Sequence, residues 1–108
     1  MNFEIIATKE FTKHLKNLSK KYPSIKNDFK SLINSLIVEP SQGVVIGQNC
    51  FKIRWNITSK KSGKRGGARV ITYVLLQEKT ITLLTVYDKA EKDTLTEKEL
   101  KTLLKQTS

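Results

Sequence analysis

Ten residues constrain the fold of this chain more than any others. The run 68–77, ARVITYVLLQ, is apolar at odd and even positions alike. Successive side chains of a strand point to opposite faces, so the run predicts a central strand with a packed layer on each side. Glu78 and Lys79 form a tight turn, and residues 80–87 return as the next strand. Upstream, Phe51, Ile53, Trp55 and Ile57 alternate with Lys52, Arg54, Asn56 and Thr58. That period of two predicts a strand buried on one face, with Lys52 and Arg54 on the other.

Helices supply the covering layers. Residues 2–7 form a short apolar first strand, and Thr8 is an N-cap candidate. Phe11, Leu15, Leu18 and Tyr22 then lie on one helical stripe, which Pro23 ends. A second helix starts near Ser24, buries Ile25, Phe29, Leu32, Ile33 and Leu36, and stops before Pro40. Near the C-terminus Thr96 and Glu99 fit a capping box, with Leu95 and Leu100 as its hydrophobic staple. Leu103 and Leu104 extend that short amphipathic helix. The order is βααβββ(α), an α+β fold. It packs a helical hairpin on a mostly antiparallel four-stranded sheet and ends in a short helix. At 108 residues, 1–108 is expected to be a single domain.

Charge narrows the partners. The formal net charge is +10, and residues 1–87 carry 15 basic against 5 acidic side chains, whereas residues 88–108 carry 5 of each. Between Lys52 and Arg69 seven basic residues occur with no acidic one. Such crowding calls for a polyanion or an acidic partner. No apolar stretch approaches the ~20 residues of a membrane helix. No secretory signal is visible at the N-terminus, and the lone Cys50 cannot form an internal disulfide. A cytoplasmic protein without membrane contact is expected.

Several chemistries lack their residues. One cysteine, Cys50, and one histidine, His14, are too few for the usual zinc sets, and no grouping of carboxylates suits a two-metal nuclease. No metal or cofactor is expected. His14 reads as a surface residue and Cys50 as a small buried hydrophobe. Glu91, Asp93, Glu97 and Glu99 intersperse with lysines and read as a solvated tail. What remains is Lys52, Arg54, Arg69, Tyr87 and Lys89 on or beside strands that antiparallel pairing would bring together. Such a patch suits RNA cleavage, because the substrate's 2′-hydroxyl attacks the adjacent phosphorus and the protein supplies no nucleophile. Fixed cations stabilise the phosphoryl charge, and a lysine crowded by cations can act as a base.

The segments FKIRW at 51–55, GKRGGARVITY at 63–73 and LLTVYDKAE at 83–91 together resemble the RelE/ParE toxin superfamily, with most similarity to a HigB-like, RelE-type branch. The resemblance spans most of the chain. It implies a ribosome-dependent mRNA interferase, the toxin of a type II toxin–antitoxin system neutralised by a cognate acidic antitoxin. By position it implies substrate orientation and proton transfer at Lys52 and Arg54, and transition-state charge at Arg69. It also implies RNA gripping by Lys60, Lys61, Lys64 and Arg65, and a basic residue after the last strand at Lys89. Ala90, and approximately Thr96, stand where RelE carries an arginine and a tyrosine. The general base therefore lies among Lys52, Lys89 and Tyr87, with the lysines favoured. A ParE-like DNA gyrase inhibitor and a non-catalytic basic nucleic-acid-binding module are the alternatives on the same fold.

Overall fold

The computed structural model describes residues 3–107. Asn2, expected in the first strand, lies outside the described residues. β1 (Glu4–Ala7) leads into α1 (Lys9–Lys21) and α2 (Ile25–Val38), followed by β2 (Val44–Gly47), β3 (Cys50–Trp55), a 3-10 turn (Thr58–Lys60), α3 (Gly63–Gly66), β4 (Ala68–Leu75), β5 (Thr80–Asp88) and α4 (Glu97–Leu104). A last 3-10 turn, Lys105–Thr107, closes the described chain.

The sheet has five strands in the order β1-β5-β4-β3-β2, one more than the four expected. The addition is β2, an edge strand that pairs antiparallel with β3 through a turn in which Gln48 and Asn49 have φ of 51° and 62°. Its Val44 and Val45 are exposed, so no burial period marked it in the sequence. β1 joins the opposite edge, parallel to β5. The remaining pairs are antiparallel. β4 lies at the centre, as its two apolar faces require.

One face packs on the helical hairpin. Phe11, Leu18, Ile25, Leu32 and Leu36 bury against Ile53, Trp55, Val70, Val74, Leu83 and Val86. The stripe capped by Thr8, whose Oγ1 accepts from Phe11 N, is what buries α1. The second face meets α4, whose Leu100 and Leu103 cover Cys50, Ile71, Leu84 and Tyr87. Removing a leucine from either layer costs about 2–5 kcal/mol, through lost transfer free energy and a cavity. The capping box at Thr96 and Glu99 forms as expected. No helix among the described residues is long and apolar enough to cross a membrane.

Between β3 and β4 lies a Gly-rich basic loop, SKKSGKRGG at 59–67, within which Gly63–Gly66 form the single turn α3. Gly67 then runs against the backbone of β3: a Cβ there would collide with Trp55 O, so only glycine fits. This close approach delivers the chain into β4 with Arg69 on the α4 side of the sheet.

Candidate functional site

Strand register assembles the site. Arg54 stands opposite Arg69, and Arg69 opposite Tyr87, giving one row across β3, β4 and β5. Lys52 lies two residues from Arg54 and so shares its face, opposite Ile71. Lys89 follows β5, exposed, and its backbone N–H donates to Gly67 O at 3.1 Å. The expected cations thus gather on the α4 face of the sheet. Arg54 is exposed there and directly opposes Arg69, and two like charges at such a cross-strand position repel.

One residue of the β5–α4 connection meets most of them. The Asp93 carboxylate accepts from Arg69 Nε at 2.8 Å. Its backbone carbonyl accepts from Lys52 Nζ and from the Tyr87 hydroxyl, both at 3.3 Å. Burial opposes ionisation of Asp93, but the Arg69 guanidinium, with Lys52 and Lys89, outweighs it and lowers the carboxyl's pKa. Asp93 was expected in a solvated tail; the structure places it on the cationic ledge.

Arg69 is only 2% exposed. Its Nη1 donates to the carbonyls of Lys64 and Ala68 and its Nη2 to that of Arg65, each at 3.1 Å. The guanidinium therefore ties the α3 turn to the sheet while Nε faces the ledge. Burial raises the Tyr87 hydroxyl to about 12, with Asp93 adding to the effect and Arg69 opposing it. Tyr87 keeps its proton near neutrality and donates it in the hydrogen bond to the Asp93 carbonyl.

The basic loop divides. Lys61, Lys64 and Arg65 are exposed, and the backbone carbonyls of Lys64 and Arg65 hold Arg69. Lys60 does not join them, contrary to the sequence expectation. Its Nζ donates to Asp88 Oδ1 at 2.7 Å and to Gly67 O at 3.2 Å, and its side chain is 13% exposed. A fully buried carboxylate demands a counter-charge, and Asp88 is that carboxylate. It also accepts from the Tyr22 hydroxyl at 2.7 Å and from Ala90 N at 2.9 Å. Desolvation raises its pKa, yet these hydrogen bonds and Lys60 prevail and hold it at about 2. On the same side, Asp28 braces the Thr58 turn, accepting from Thr58 N and Oγ1, while its backbone carbonyl accepts from Trp55 Nε1.

His14 is half-buried and paired with Glu10 on α1, and Cys50 is buried with its thiol pushed up to about 11 by desolvation. Among the described residues no three His, Cys, Asp or Glu side chains gather as metal ligands. A cleft of about 660 Å³ between α1, β5 and α4 includes Tyr87 but not Lys52, Arg54 or Arg69. A second recess, about 330 Å³, opens beside Lys52 and is walled by Ile46, Ile71, Thr94, Leu95 and Leu100.

No family model matches the sequence. Among solved structures, the free state of an E. coli toxin RelE mutant with two arginines changed to alanine superposes with a TM-score of 0.62, at 14% identity over 100% of both chains. The chain has the RelE fold. At this identity the likeness is one of fold. Within that RelE-like frame the cationic row, the Asp93 contacts and the Asp88 brace are properties of this chain's own residues.

Proposed function

We propose that the chain is the toxin of a type II toxin–antitoxin pair, a HigB-like, ribosome-dependent endoribonuclease that cleaves mRNA without a metal. One observation carries the reading: Lys52, Arg54, Arg69, Tyr87 and Lys89 share one ledge of a RelE-type sheet, with one loop residue, Asp93, bridging Lys52, Arg69 and Tyr87.

In the proposed reaction the 2′-hydroxyl attacks the neighbouring phosphorus. The 2′-oxygen–phosphorus bond forms, the bond to the 5′-oxygen breaks, and a 2′,3′-cyclic phosphate results. Lys52 accepts the 2′-hydroxyl proton and Lys89 returns one to the leaving 5′-oxygen. Arg69 and Arg54 stabilise the pentavalent phosphate with charge already in place, so little reorganisation accompanies the step. Tyr87 donates a hydrogen bond to the backbone being cut. Lys61, Lys64 and Arg65 hold ribosomal RNA or message by charge. The ribosome orients the message, and a cognate acidic antitoxin silences the ledge. The setting is cytoplasmic.

The test is a translating extract given purified protein. Messages should be cut within codons while naked RNA stays intact, and treatment with EDTA under conditions that preserve ribosomes should leave the chemistry running. Intact messages alongside poisoned DNA gyrase would replace this reading with a ParE-like one.

A further inference from the structure

The Arg69 guanidinium is buried, and among the described residues its one carboxylate partner is Asp93, whose own side chain is 51% exposed. A buried cation stripped of its counter-ion is costly, so whatever displaces Asp93 must bring a negative charge to the same place. Arg69's other acceptors are the backbone carbonyls of Lys64, Arg65 and Ala68, built into the α3 turn and β4. Only the Asp93 seat is exchangeable.

The loop bearing Asp93 is suited to exchange. Among the described residues no backbone–backbone hydrogen bond ties residues 93–95 to the rest of the chain. The segment is flanked by firm attachments, with Glu91 N and Lys92 N donating to Asp88 O before it and the Thr96–Glu99 capping box after it. Between them it rests on the Asp93 contacts and on Leu95, which packs against the α4 cluster. The same loop contributes Thr94, Leu95 and Thr96 to the recess beside Lys52.

We propose that Asp93 is an internal stand-in for the substrate phosphodiester. Its carboxylate marks the phosphate seat, against Arg69 Nε and within reach of the Lys52 and Lys89 charges, and RNA must displace it to bind. Withdrawal of the loop then frees Lys52 and Tyr87 from the Asp93 carbonyl and widens the recess where the neighbouring nucleoside would lie. The free protein is therefore self-occluded. This rests on the proposed action on RNA, but its test requires no cleavage.

The test is binding of a fully 2′-O-methylated single-stranded RNA hexamer, which cannot be cut, to the full chain and two variants. Asp93→Asn removes the competing charge and nearly keeps the shape. Glu91→Gln removes one charge from the same connection, at a residue whose carboxylate does not touch the ledge. Asp93→Asn should lower Kd about fivefold or more, through loss of a charge-assisted competitor at close range. Glu91→Gln should change it less than about twofold, because exposed, separated charges are screened. Equal effects from the two variants, or weaker binding by Asp93→Asn, would overturn the proposal. Should Asp93→Asn fail to fold, the Arg69 Nε–H resonance of the unaltered protein decides: it should shift as inorganic phosphate is added, and a resonance unmoved throughout the titration would refute the seat. Tighter binding by Asp93→Asn in a protein that cuts no message would leave the seat standing and remove the nuclease reading. Cleavage with no gain in binding would do the reverse.

Discussion

Asp88 ends β5 and Asp93 follows five residues later in the connection to α4, and they use their charge in opposite ways. Asp88 points to the hairpin side, fully buried, held by Lys60, Tyr22 and the Ala90 amide. Asp93 comes over the other side, half-exposed, and spans Lys52, Arg69 and Tyr87. In the first pair both side chains are largely buried, Lys60 at 13% and Asp88 at 0% exposure. The second has a buried cation with an exposed partner, the asymmetry a binding site needs. Burial of the carboxylate, rather than the presence of an ion pair, separates the brace from the working surface.

The comparison breaks first at Asp88. Asp88→Ala strands the Lys60 ammonium and the Tyr22 hydroxyl, and should cost about 3 kcal/mol in urea unfolding; a loss under about 1 kcal/mol would show that the brace contributes little. The same group sets an acid limit. Its folded pKa of about 2 lies below the ordinary 3.8. Its contribution is therefore complete above about pH 4 and disappears as pH falls from there toward 2, by roughly 2 kcal/mol. Asp88→Asn should remove that part of the acid dependence, and unfolding curves from pH 6 to pH 2 check it.

A smaller effect sharpens the other side. Changing both Lys64 and Arg65 to alanine should leave stability nearly unaltered, since both side chains are exposed and Arg69 is held by their backbone carbonyls. The logarithmic salt dependence of RNA binding should flatten by about 1.4, the slope for two single-strand phosphate contacts. An unchanged slope would place the RNA path away from α3.

Much of this architecture was legible in the sequence because burial leaves a period. The alternation from Phe51 to Ile57, the double-sided apolar run into β4 and the stripe from Phe11 to Tyr22 each record a packed face. The Thr96–Glu99 box records a helix start. β2 left no such record because its valines face solvent. The ledge was legible in part, since strand pairing alone brings Lys52, Arg54, Arg69 and Tyr87 together. What stayed hidden depends on side-chain reach across distant segments. Lys60 reads as one more loop cation until the buried Asp88 is seen to claim it. Asp93 reads as a tail carboxylate until the 89–96 connection folds back over β4. Asp88 did carry a faint signal, a carboxylate ending an otherwise apolar strand.

Lys52 offers the cleanest trial of the ledge. It is half-buried, its hydrogen bond is to the Asp93 carbonyl, and its removal opens no core. The decisive measurement is the single-turnover cleavage rate of a message on programmed ribosomes, for Lys52→Ala against the unaltered protein, with thermal unfolding followed in parallel. A fall of about 100-fold or more at an unchanged melting temperature is the expected result. A rate close to that of the unaltered protein would mean that the phosphodiester is broken somewhere else.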